Sequence, residues 1–66
     1  MNILVKHIKT LVSLKTTMHL VEDDGDSETR HHFPAVWCDT HYARNYIATE
    51  ILEKDDDYIW LQVKKP

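Results

Sequence analysis

Along residues 12–20 apolar and polar positions alternate. Val12, Leu14, Thr16, Met18 and Leu20 fall on one side, and Ser13, Lys15, Thr17 and His19 on the other. A period of two predicts a strand with one wet face. The acidic run Glu22-Asp23-Asp24-Gly25-Asp26-Ser27 follows, and its Asp-Gly pair predicts a hairpin turn. A second strand is expected over 29–37, with Phe33, Ala35 and Trp37 inward. Pro34 has no N–H to give a ladder, so this strand belongs at a sheet edge. The period then changes. Ala43, Ile47 and Ile51 recur every four residues, and Tyr46 and Ala48 widen the stripe. That spacing predicts a helix over 39–53, capped by Asp39 or Thr40 and ended by the turn-favouring Lys54-Asp55-Asp56-Asp57. Residues 58–64 alternate again, with Ile59, Leu61 and Val63 inward. Residues 1–10 are ambiguous: Ile3, Leu4, Ile8 and Leu11 fit a helical stripe, whereas Ile3, Val5 and His7 fit a strand.

These elements predict an α+β fold with the order ββαβ. With the second strand at the rim, the first is central and the last pairs with its free side. The expected sheet is three-stranded and antiparallel, of order 2-1-3, with one helix packed on one face. The core would hold Val12, Leu14, Met18, Leu20, Phe33, Ala35, Trp37, Ala43, Ile47, Ile51, Ile59, Leu61 and Val63.

The topology also places charge. A helix of about 14 residues spans about 21 Å, close to the length of a seven-residue strand. It would return the chain to the hairpin end of the sheet. Glu22, Asp23, Asp24, Asp26 and Glu28 would meet Glu53, Asp55, Asp56 and Asp57 there, forming one acidic pole. Such a pole suits a partner with a basic surface, because opposite charge steers association. Well-solvated turns rich in Asp are the plainer account. The run 24–28 does not match a twelve-residue calcium loop.

The chain has 66 residues and a net charge of −3, which fits one small domain of modest stability. Negative charge argues against nucleic acid as the main partner, since phosphate binding rests on Lys and Arg. One cysteine, Cys38, rules out an internal disulfide framework and points to a reducing, cytoplasmic setting. The apolar start, interrupted at Lys6, His7 and Lys9, is too short to span a membrane. No cofactor or metal is implied. Cys38 and His41, with His31 and His32, are zinc-type donors, but a strand separates His31 from Cys38 by roughly 20 Å. A single glycine leaves no phosphate loop, and neither serine has a nucleophile's context, so the chain reads as a non-enzyme.

The outward sheet face is expected to carry Lys15, His19, His32, Tyr58, Trp60 and Lys64. Aromatics interleaved with bases resemble platforms for single-stranded nucleic acid. Cover by residues 2–10, a second copy of the chain, or a protein partner anchored on His19, Tyr58 and Trp60 are the other readings.

From Phe33 onward the pattern Phe33-Pro34-Ala35-Val36-Trp37, then Asp39-Thr40, then an Ala-containing helix over 41–53, then Tyr58 to a Lys-Lys-Pro end, resembles small bacteriophage host-takeover inhibitors, the phage T7 early inhibitor of bacterial RNA polymerase among them. The resemblance covers about half the chain and implies a ββαβ fold with an acidic binding surface. It further implies a small non-enzymatic protein that binds and inhibits or modulates a larger host protein or nucleoprotein assembly. A homodimeric interaction subunit is the alternative, with a single-stranded nucleic-acid binder behind it.

Overall fold

The structure is a computed structural model that describes residues 1–23, 25 and 27–66. It corrects the α+β expectation. Five strands form one mixed sheet: β1 (Ile3–Leu4), β2 (Thr17–Asp23), β3 (Glu28–Pro34), β4 (Ile47–Lys54) and β5 (Tyr58–Lys64). The order is β1-β4-β5-β2-β3. Two 3₁₀ segments, Val5–Thr10 and Ala35–Trp37, are the only helical elements among the described residues.

The predicted helix over 39–53 is absent. Residues 38–46 run as successive tight turns, in which the N–H of His41 reaches Trp37 O at 2.9 Å, that of Arg44 reaches His41 O and that of Tyr46 reaches Ala43 O, both at 3.0 Å. Residues 47–54 are strand β4. Ile47, Thr49 and Ile51 are β-branched, which suits a pleated surface better than a helix. One step of the helical pattern, from Ala48 to Ile51, has a structural cause. In the β4–β5 ladder Ala48 opposes Val63 and Ile51 opposes Leu61, three steps on one strand against two on the other. A bulge between them inserts the extra residue. Residues three apart therefore share one face, as they would on a helix.

The hairpin 17–34 does form. Its register runs from Thr17 opposite Pro34 to Asp23 opposite Glu28. At the turn, Gly25 has φ +89° and its N–H donates to the Asp23 carboxylate at 2.9 Å. β3 lies at the sheet edge and ends on Pro34. The first strand begins at Thr17 rather than at Val12 and runs on through Asp23, while Trp37 has left the second strand for the 3₁₀ turn.

Strand β5 pairs with β2 as expected but in parallel, with Thr17 beside Tyr58 and Glu22 beside Val63. β4 is the strand that makes this possible. It pairs antiparallel with β5 and carries the chain back along the sheet before β5 begins. Thr17 N–H then donates to Asp57 O at 2.9 Å, tying the 55–57 turn to the start of β2.

One face of the sheet is covered. Met18, Leu20, Phe33, Ala48, Ile59, Leu61 and Val63 join Ala35, Cys38 and Ala43 in the core, together with Val5 and Ile8 from the first 3₁₀ segment. A 3₁₀ helix eclipses residues three apart, so Val5 and Ile8 point together into the sheet. The ambiguous N-terminus is thus the missing layer. Backbone bonds hold it in place: Val5 N–H to Tyr46 O and Lys6 N–H to Arg44 O, each 2.9 Å. Leu14, Trp37 and Ile51, expected in the core, are exposed instead.

Candidate functional site

The parallel register separates what the helix would have joined. Glu22, Asp23 and Glu28 stand at the end of the sheet marked by Val63, whereas Asp55, Asp56 and Asp57 precede Tyr58 at the other. Five residue steps, about 17 Å of strand, lie between the two ends. The single acidic pole does not exist. Asp24 and Asp26 lie outside the described residues. Glu53 sits within β4 opposite Trp60 and accepts the Tyr58 hydroxyl at 3.0 Å, a bond that raises the phenol's pKa. Glu22 is not at a surface at all, being buried on the covered face. Lys65 is near this acidic hairpin, its ammonium 3.5 Å from Glu22 Oε1.

The aromatic anchors are brought together. His19 is paired in register with both Trp60 on β5 and His32 on β3, so Glu53, Trp60, His19 and His32 form one row across four strands. The His19 and Trp60 rings stack at 4.3 Å and 8°, and His19 and His32 at 6.1 Å and 27°. Stacked rings at the His19–Trp60 separation attract through dispersion and their quadrupoles. Arg30, which donates to Glu28 at 3.2 Å, also lies over the Trp60 ring at 5.8 Å, a cation–π distance. Burial, then the charge of His32, lowers the pKa of His19. Its neutral ring is the form that packs flat on the indole.

Residues 5–10 cover the opposite side of the sheet, so the chain's own N-terminus is not the cover for this face. Beside the row, Val21, Asp23, Glu28, Arg30, Leu52 and Trp60 line most of an open concavity of about 500 Å³. Arg30, Val21 and Leu52 were not legible as site residues. Val21 and Leu52 lie in stretches read as a strand end and a helix. Only a β2 extended past Leu20 would have placed Val21 and Arg30 here. Lys15 lies in the turn before β2 rather than on the face.

A second cluster also escaped the sequence. On the covered face, His31 Nε2 lies 3.3 Å from Glu22 Oε2, and the Tyr42 hydroxyl hydrogen-bonds His31 Nδ1. Tyr46 meets His31 edge-on at 5.9 Å between centroids. The zinc-type residues are engaged elsewhere. The Cys38 thiol donates to Lys6 O at 3.6 Å, and burial pushes its pKa up. His41 stacks on Phe33 at 4.0 Å and accepts the Ala43 N–H at its Nδ1. Among the described residues no three His, Cys, Asp or Glu side chains are grouped to hold a metal ion.

Fold and site together define a small mixed β-sheet protein with one packed face and one open, aromatic-centred face. Comparison with protein-family models, with curated proteins and with solved structures gave no match. Among the described residues no helix is long and apolar enough to cross a membrane.

Proposed function

We propose that the protein is a cytoplasmic, non-catalytic binding module that docks on a larger protein through its open sheet face, and so inhibits or modulates it stoichiometrically. The observation that carries this is the Trp60–His19–His32 row, stacked and half-open at the centre of a face that no described segment of the chain covers. Rigid aromatic groups give large contact area at low entropic cost and dominate interface energetics. Glu50 and Glu53 flank the row on β4, with Arg30 beside it on β3. The face therefore offers an acidic margin and a basic one around an apolar centre. Phosphate backbones are disfavoured by that acidic margin and by the net charge. A bacteriophage-type host inhibitor remains the class proposed, but the ββαβ fold implied by that resemblance is not the fold formed, and no host target is carried over from it.

The test is capture of the partner by immobilised protein, followed by titration of the purified pair. A one-to-one complex weakened at least about thirtyfold by Trp60→Ala, the loss of a hot spot of about 2 kcal/mol, supports the reading. Undiminished binding by a folded Trp60→Ala variant overturns it.

A homodimer is the second reading, favoured by a different observation. β1 pairs only with Ile47 and Ala48, so residues 50–54 of β4 have no strand on their outer side among the described residues. Ile51 and Leu52 are exposed there. Antiparallel pairing of this edge with a second copy, centred on Leu52, sets each Glu50 against the partner's Lys54. Sedimentation at micromolar concentration distinguishes the two readings: a dimer abolished by Leu52→Lys favours the second.

A further inference from the structure

Glu22, His31 and Tyr42 form a relay that the open face does not use. Glu22 is 3% exposed, and its carboxylate can only accept hydrogen bonds. The neutral imidazole of His31 therefore carries its proton on Nε2, toward Glu22 Oε2 at 3.3 Å. That choice of tautomer leaves a lone pair on Nδ1, and the Tyr42 hydroxyl is the donor to it. Lys65, 3.5 Å from the second carboxylate oxygen, balances the buried charge. Tyr42 itself is 62% exposed. An accessible hydroxyl, a base within reach and a buried group that orients the base are the parts of an activated nucleophile.

We propose that Tyr42 is a covalent modification site that accepts acyl groups from activated esters. The phenol oxygen forms a bond to the carbonyl carbon, the bond from that carbon to the leaving oxygen breaks, and the Tyr42 proton passes to His31 Nδ1 and then to the departing group. The step is redox-neutral and leaves an aryl ester on Tyr42. His31 is the base and Glu22 a positioning residue. Burial, then Tyr46 and Glu22, raise the pKa of Tyr42, so free phenolate is scarce at neutral pH. Proton transfer to His31 in the transition state is the route that remains. The site lies on the packed side of the sheet, so it stands or falls separately from the docking reading.

The experiment treats the whole protein with p-nitrophenyl acetate at neutral pH and maps acetylated peptides by mass spectrometry. Tyr58 is an internal standard, because its hydroxyl is bonded to Glu53 and has no imidazole beside it. Tyr42 is expected to react about a hundredfold faster than Tyr58, the lower range of general-base assistance. His31→Gln brings Tyr42 to the rate of Tyr58. Glu22→Gln slows Tyr42 alone, and the conservative Glu22→Asp restores part of its rate, with Tyr58 unchanged in both. If His31→Gln does not fold, the same ratio measured for the unaltered chain in urea serves instead and should fall to about one if the relay is responsible. Equal labelling of Tyr42 and Tyr58 in the native protein overturns the proposal, as does fast labelling in a folded His31→Gln variant.

Discussion

His19 and Trp60 occupy one register position on the parallel strands β2 and β5, with their rings 4.3 Å apart and 8° from parallel. Burial and His32 lower the pKa of His19, and burial and His31 lower that of His41. Folding thus disfavours the charged form of both, and the unfolded chain binds protons more readily. Stability should be full above the unfolded histidine value of about 6.5 and fall as pH drops below it. Urea midpoints at about pH 7.5 and 5.5 check this, and the drop should shrink in His19→Gln.

Glu22 and His31 stabilise one another as a buried pair, with side chains 4% and 9% exposed. Removing one partner strands the other's polar group. His31→Phe should cost about 2–3 kcal/mol, somewhat below the usual loss for a broken buried pair because Lys65 still faces the carboxylate. Adding Glu22→Leu should recover most of that loss. A double-mutant cycle by chemical denaturation measures the coupling; simple additivity of the two changes would contradict it.

Gly25 tests the turn without touching the packing. A Cβ built there meets nothing within 4 Å, so its positive φ is the sole obstacle to a side chain. Gly25→Ala should destabilise by about 1 kcal/mol, and Gly25→Asn by less, since Asn tolerates this region better. Thermal midpoints of the two variants give the comparison.

Leu61 and Ile51 sit opposite each other on β5 and β4 but differ in burial: Leu61 is fully buried and Ile51 is 44% exposed. Leu61→Ala should cost about 3 kcal/mol, enough to unfold much of a domain this small. Ile51→Ala should cost under about 1 kcal/mol. A helix with Ile51 on its buried stripe would make the two losses similar.

Strands whose alternation is unbroken were legible from sequence. Tyr58–Lys64 forms with the expected bounds and with Ile59, Leu61 and Val63 inward. The hairpin turn was legible because Gly25, in the Asp-Gly pair of the sequence, supplies the positive φ that it needs. β4 was not, because its bulges break the period of two and leave Ala48 and Ile51 three apart on one face. That single misreading reversed the direction of β5 relative to β2 and created the acidic pole. The His19–Trp60 contact survived it, since outward alternation on two neighbouring strands is enough to bring those rings to one face. Glu22 was missed because an acid beside a turn reads as solvated, although it continues the inward phase of Met18 and Leu20.

The parallel β2–β5 register has a consequence for approach to any partner. With carboxylates at both tips, the charge distribution is closer to a quadrupole than to a dipole. A distant basic surface exerts little torque on it and draws either tip with similar ease. Long-range fields can then raise encounter frequency without choosing a pose, and the orientation of a bound state must be selected at contact, by shape.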